Sequence, residues 1–339
     1  MLRIELNGVP IRLIGDTHLG KVFQTGIPLD RRGEREESIW KQFEEELTAP
    51  GDEVYFIHVG DLFDKFVVPF KTIMRAADIL DRATRRVLIL RGNHDASRDN
   101  DEVSAFDILE AIIGNESLVF IKEPTIIPLD NNDNYIGLVP WDPFNSPAVL
   151  VSRLAVQLEV EWMRGLGGRF SAVFGHWDVD PITANYGNMI PMDELRGITD
   201  RVYTGHVHTP QVIYPMYGTG PEVTIVGAIQ PMSHGEDPQG KIYKTMTLSQ
   251  VAAYLETNGP DSLRNNAVRI LLGEGEELPN IDCLQLTAKP KQEDDKIEVR
   301  FEQYDLETMF RKCFTDFGVE PELIQEAWDY YQTLRNAQE

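Results

Sequence analysis

Five short apolar runs in this chain end in Gly followed at once by a residue able to ligate a metal: Gly15-Asp16, Gly60-Asp61, Gly92-Asn93, Gly175-His176 and Gly205-His206. The runs, Ile11 to Ile14, Val54 to Val59, Val87 to Leu90, Ala172 to Phe174 and Val202 to Tyr203, are rich in β-branched and aromatic residues and read as buried strands. Gly lets the backbone turn sharply where each strand stops. If the strands share one sheet, their ends converge, and Asp16, His18, Asp61, Asn93, His94, His176, His206 and His208 meet in one crevice. Oxygen and imidazole donors at that density imply a metal.

The surrounding pattern is α/β. Leu2 to Leu6, then Asn7-Gly8, then Val9 to Ile14 reads as a hairpin, because Asn-Gly supplies the positive φ angles of a tight turn. Glu34 to Leu47 places Ile39, Trp40, Phe43 and Leu47 on one helical face, and Lys71 to Ala83 does the same with Ile73, Ala76, Ala77 and Leu80. Strands and helices in alternation argue for a layered domain. After Gly175, strand-like runs at Val212 to Tyr214, Val223 to Val226 and Ile242 to Leu248 fit a second sheet packed on the first. The motifs stop near Leu248, which divides the chain into a main domain over 1–248, a smaller αβ accessory unit over 249–303 and a helical segment over 304–339. The accessory unit carries a helix from Ser249 to Glu256 and strands near Val268 to Leu272, Cys283 to Leu286 and Ile297 to Phe301. In the tail, Leu306, Met309, Phe310, Cys313, Phe314 and Phe317 form one helical stripe, and Leu323, Ile324, Ala327, Trp328, Tyr331 and Leu334 form another. These faces pack on their own body or dock onto helices of another protein.

Charge narrows the function. Against 32 basic residues stand 55 acidic ones, a net of -23, the wrong sign for a chain that holds nucleic acid by its own surface. Any polyanionic substrate therefore needs metals, a local basic patch or a partner. From Glu293 to Glu339 there are 13 acidic and 5 basic residues, so that tail is not expected to touch DNA. Arg3, Glu5, Pro10 and Arg12 interrupt the opening residues, so a soluble, cytoplasmic protein without a membrane anchor is expected. Cys283 and Cys313 form no CxxC pair and read as buried free thiols.

Asp61 can offer one oxygen to each of two ions, which makes it the natural bridge. The expected partition is Asp16, His18, Asp61 and His208 against Asp61, Asn93, His176 and His206. Two ions about 3.5 to 4 Å apart activate water and neutralise charge in the in-line displacement at a phosphoester. His94, not needed as a ligand, is placed as general acid, and Asp95 either orients it or holds the loop. Other readings are structural: His58 points away from the crevice by strand alternation, Asp64 caps or supports, His234 is a loop histidine, and Trp141 packs beside the site or stacks on a base. Lys21, Arg31, Arg32, Arg91 and Arg98 flank the ligand loops and are either phosphate contacts or solvated cations.

Gly-Asp-Thr-His, Gly-Asp-Leu-Phe-Asp, Gly-Asn-His-Asp, Gly-His and Gly-His-Val-His together resemble the five motifs of the calcineurin-like metallophosphoesterases. Within them, Gly60-Asp-Leu-Phe-Asp64, Val139-Pro-Trp141 and Val226-Gly-Ala-Ile-Gln-Pro-Met-Ser233 resemble the SbcD type DNA nuclease subunit, including its phage-encoded forms. Family members often carry Gly-Ser-Pro where this chain has Gly227-Ala228-Ile229. The resemblance implies a two-sheet metallophosphoesterase sandwich flanked by helices. It implies two divalent ions, manganese ahead of magnesium, with metal ligands Asp16, His18, Asp61, Asn93, His176, His206 and His208 and catalytic residues His94 and Asp95. It implies DNA as substrate, an SbcC type ABC ATPase bound through residues 305–335, and homodimers as in relatives. Two other readings stand beside it: a phosphatase or phosphodiesterase acting on a protein or small molecule, and a scaffold that regulates an ATPase without cleaving anything.

Overall fold

The computed structural model describes residues 2–97, 102–129, 134–163, 168–179, 188–214 and 220–291, together with 320, 321, 323–325, 327 and 328. Strands β1 (Leu2–Leu6) and β2 (Val9–Ile14) form the expected hairpin, with Leu6 opposite Val9 across Asn7 and Gly8 at φ 50° and 83°. There follow α1 (Glu34–Thr48), β3 (Tyr55–His58), α2 (Phe70–Leu80), β4 (Arg86–Leu90), α3 (Ala105–Ile112) and β5 (Leu118–Ile121). The strands make a five-stranded sheet in sequence order, parallel from β2 onward.

A second sheet has six strands. It is built from β6 (Thr125–Pro128), β7 (Tyr135–Val139), β8 (Ala172–His176), β9 (Arg201–Gly205), β10 (Gln211–Ile213) and β11 (Glu222–Ile225), with α4 (Pro147–Met163) and α5 (Met192–Arg196) between them in the chain. Its order is β10-β11-β9-β8-β7-β6, and its four central strands are parallel.

The strands are buried on both faces, and alternation assigns each residue to a side. Ile11, Leu13, Tyr55, Ile57, Leu88 and Leu90 from the first sheet meet Ile136, Leu138, Ala172 and Phe174 from the second in one core. Phe56, Val87 and Ile89 face outward onto α1, α2 and α3 through Phe43, Ile73 and Phe106. Val173, Val202 and Val223 face outward onto Leu150, Leu154 and Leu195 of α4 and α5. The mixed α/β sandwich expected from the motifs is the observed architecture. Two expectations change: the strand in the run Ile242 to Leu248 joins a third sheet rather than the second, and the five Gly-terminated runs do not share a sheet. β2, β3 and β4 belong to the first and β8 and β9 to the second. A doubly buried parallel strand has the same apolar composition whichever sheet it joins.

Beyond these lie β12 (Tyr243–Thr247), α6 (Leu248–Asn258), β13 (Ala267–Leu272) and β14 (Gln285–Pro290). The three strands form a separate sheet whose core gathers Val251, Leu263, Val268, Ile270 and the buried thiol of Cys283. The helix begins with a reciprocal cap between Thr247 and Gln250. By compactness the chain divides into residues 1–272 with 277–289, and residues 273–276 with 290–339. In the second unit, Ile324 and Trp328 are buried and Leu323 is exposed. The expected strand at Ile297 to Phe301, the stripe from Leu306 to Phe317, and Arg98 lie outside the described residues.

Candidate metal centre

The ends of parallel strands from both sheets deliver the site. Ile14, His58 and Ile89 lie on one rung of the first sheet, and His176 pairs with Gly205 in the second. The loops after β2 and β3 are zipped together: the Asp16, His18 and Leu19 N–H groups donate to the carbonyls of Gly60, Asp61 and Leu62 at 3.1, 3.1 and 2.8 Å. Between the sheets there is no room for a side chain at Gly60, φ 105°, where a Cβ would lie 2.2 Å from His176 Nδ1. Five non-glycine residues among those described have positive φ, and four of them are expected ligands: Asp16, His18, Asp61 and His206, at 45°, 45°, 55° and 75°.

Three clusters of donors result: Asp16 with His18 and His208, Asp61 with His176 and His206, and His18 with Asp61 and His94. His18 Nε2 and His208 Nε2 face each other at 3.0 Å. Asn93 Oδ1 lies 2.9 Å from both His176 Nε2 and His206 Nδ1. Asp61 stands between, Oδ1 3.4 Å from His176 Nε2 and Oδ2 3.7 Å from His18 Nε2. The structure thus brings all seven expected ligands together, and one of its donor clusters also includes His94, which the expected partition leaves out.

The electrostatics ask for cations. Burial pushes the Asp16 carboxyl up to about 6, helped by Asp61 and opposed by His176 and His208. Burial also works to raise Asp61, but His176 and His18 overcome it and hold Asp61 below the ordinary carboxylate range. His176 resists charging through burial, yet Asp61 and Asp16 lift it to about 9, so its proton serves Asp61 as counter-ion. A divalent cation takes the place of such a proton. Asp16 Oδ2 is buried without a hydrogen-bond partner, an acceptor left for an ion to satisfy. Carboxylate, carboxamide and imidazole donors suit manganese, zinc or iron, so the residues fit two divalent ions.

Outer contacts orient the imidazoles. His176 Nδ1 donates to the Val59 carbonyl at 2.9 Å, which leaves Nε2 free as a ligand atom. His206 Nε2 lies 3.0 Å from Asp178 Oδ1, and His208 Nδ1 lies 3.1 Å from Glu236 Oε2. His18 Nδ1, by contrast, is buried without a hydrogen-bond partner; Asp64 Oδ1 lies 3.5 Å from it and accepts from Lys21 Nζ at 3.0 Å. Glu236 was not singled out by sequence, because it lies outside the five metal-binding motifs, three residues after Ser233.

The match to the calcineurin-like phosphoesterase family covers residues 9–210, more than half of the chain. The chain belongs to the calcineurin-like phosphoesterases. Calcineurin-like phosphoesterases are hydrolases of phosphoesters that use divalent metals, and the donor clusters above are where this one would hold them. No curated protein matches in sequence. Among solved structures, a dimetal phosphatase from Danio rerio is similar at 12% identity, 65% of this chain, 87% of that one and a TM-score of 0.40. A protein of unknown function from Aquifex aeolicus is similar at 15% identity, 50% of this chain, 81% of that one and a TM-score of 0.25.

The remaining residues of this phosphoesterase fall into place. His94 Nδ1 donates to the Asp64 carbonyl at 2.6 Å, and its Nε2 lies on the open side, 3.9 Å from Asp61 Oδ2. Asp95 does not touch that ring. Its buried carboxylate accepts the N–H groups of Leu62, Phe63 and Gly92 at 3.1, 3.0 and 2.9 Å, bracing the Asp61 loop against the Asn93 loop. His58 is buried beneath the site, accepting Gly60 N–H at Nδ1, so Nε2 carries the proton toward Thr17 Oγ1 at 3.0 Å. His234 Nδ1 meets Thr245 Oγ1 at 3.1 Å, away from the ligands. Arg91 is tied to the Trp141 carbonyl and Asp142, and Arg31 to Glu34 and Asp282; Arg32 is exposed. No helix among the described residues is long and apolar enough to cross a membrane.

Proposed function

We propose that this phosphoesterase is a DNA nuclease subunit that hydrolyses phosphodiester bonds with two manganese ions and works with an SbcC type ABC ATPase. The observation that carries the reading is the seat of the SbcD-like segment Val226 to Ser233. Gly15 bridges to Ala228, the Ala228 N–H donates to the His208 carbonyl at 3.0 Å, and Arg35 of α1 grips Gln230 Oε1 and the Pro231 carbonyl, each at 2.8 Å. The segment that resembles the nuclease is therefore part of the wall that holds a ligand loop.

Divalent ions, when bound, supply Lewis acidity toward the phosphate and its attacking water. The protein's part is positional and protonic. Asp61 faces both donor groups from one rigid loop, and the zipped loops fix Asp16 and His18 beside it. His94 is held by Nδ1, so an imidazolium there presents Nε2–H to a leaving oxygen as general acid. Asp95 keeps that loop in register. A net charge of -23 leaves duplex binding to the ATPase, engaged through residues 305–335.

The test is cleavage of end-labelled linear duplex DNA with manganese, for wild type and His94→Ala, with and without the ATPase. The expected result is cleavage that drops by about 10²- to 10⁴-fold in the variant while metal binding persists. Absence of cleavage with partner present and metal bound, alongside faster turnover of a small phosphomonoester, would replace this reading with the phosphatase one.

A further inference from the structure

His208 meets the donor cluster through Nε2, so its orientation depends on what holds Nδ1. That partner is Glu236, whose Oε2 lies 3.1 Å away. The carboxylate is not free to swing. Its Oε2 also accepts the Met232 N–H at 2.8 Å, and its Oε1 accepts the Ser233 hydroxyl at 2.9 Å. The next residue, Asp237, accepts the N–H groups of Lys241, Ile242 and Tyr243 at 3.1, 2.7 and 2.8 Å, which ties the same turn to the start of β12. A carboxylate fixed on one imidazole nitrogen sets the tautomer, turns the ring and raises the basicity of the other nitrogen.

The other outer partners, Val59 for His176 and Asp178 for His206, lie within residues 9–210 that match the family. Glu236 lies outside that span. We infer that Glu236 is the positioning residue for the metal ligand His208, and that the turn carrying it makes the three-stranded sheet a structural support of one half of the metal centre. The inference rests on the metal-centre reading.

The experiment is calorimetric titration of manganese into the full chain, for wild type, Glu236→Ala, Glu236→Gln and Glu236→Asp, with the visible absorption of bound cobalt recorded for each. Glu236→Ala should weaken one of two ions by about 10- to 100-fold and leave the other unchanged. Glu236→Gln, whose amide oxygen can still accept from His208, should recover most of the loss and the wild-type cobalt spectrum. Glu236→Asp keeps the charge but falls a methylene short, and should behave like Ala; this pair decides the matter if Glu236→Ala does not fold. Wild-type affinities in Ala and Asp would overturn the inference. So would equal loss of both ions together with a lowered melting temperature, which would make Glu236 a brace of the turn alone. A wild type that binds no divalent ion would bring down the metal-centre reading itself.

Discussion

Glu53→Gln should destabilise the fold by about 3 kcal/mol, because it strands a buried arginine. Arg12 lies in β2, four residues before Asp16, with its side chain 0% exposed beside a Glu53 side chain 2% exposed. Its Nε and Nη2 donate to Glu53 Oε1 at 3.1 and 2.8 Å, and Arg3 and Arg85 join the same carboxylate at 2.9 and 2.8 Å. Removing one partner of a buried ion pair typically costs about 3 to 5 kcal/mol. Arg12 keeps the Glu46 carbonyl at 2.7 Å, and the new amide oxygen still accepts one bond, so the lower end of that range applies. Urea midpoints at unchanged slope measure the loss. With Arg12→Met in the background, Glu53→Gln should cost less than about 1 kcal/mol, a coupling of roughly 2 kcal/mol. Burial works to raise the Glu53 carboxyl, but Arg12 and Arg3 outweigh it and hold it below its ordinary value of 4.5. A carboxyl depressed in the folded state contributes fully above its unfolded value and loses that contribution as pH falls through the folded one. The gap between wild type and variant should therefore close in acid below 4.5. A variant within about 0.5 kcal/mol of wild type at neutral pH, or a gap that persists in strong acid, would refute the reasoning.

Gly60→Ala should cost more than about 1 kcal/mol and weaken metal binding at the His176 cluster, since the new Cβ meets His176 Nδ1 in a backbone region only glycine adopts easily; thermal melts and manganese titration read both effects. Manganese at 100 times its dissociation constant should stabilise the chain by about 2.7 kcal/mol and a chelator should remove that gain, so a melting temperature indifferent to both would count against ligation by the described clusters.

Much of the site was legible because ligand chemistry needs particular side chains at strand ends, and Gly-Asp, Gly-Asn and Gly-His after apolar runs display both requirements at once. His58 was legible too: it shares strand parity with Phe56, which faces outward onto the helices, and it lies edge-on to Phe43 of α1. What pattern alone could not say was which sheet each strand joins, since Val87 and Val173 look alike in sequence and pack against different helices. Nor could it find Glu236 or the role of the Asp64 carbonyl. The first reaches His208 only after the chain has crossed β11, and the second is a backbone atom with no side-chain signature. Asp95 left two roles open, and its three backbone donors, contributed by two separate loops, are contacts that only the folded chain creates.

The left-handed backbone at Asp16, His18, Asp61 and His206 has a consequence for how mutational scans of this protein are read. Asp, Asn and His tolerate that conformation better than most residues, so these positions were chosen by loop shape as well as by ligation. An alanine there removes a donor and also refolds the turn, which charges two losses to one side chain. Asp16→Asn and Asp61→Asn keep the turn and one side-chain oxygen while removing the charge, so the loss from wild type to Asn at each position reports the charge apart from the cost of building the loop.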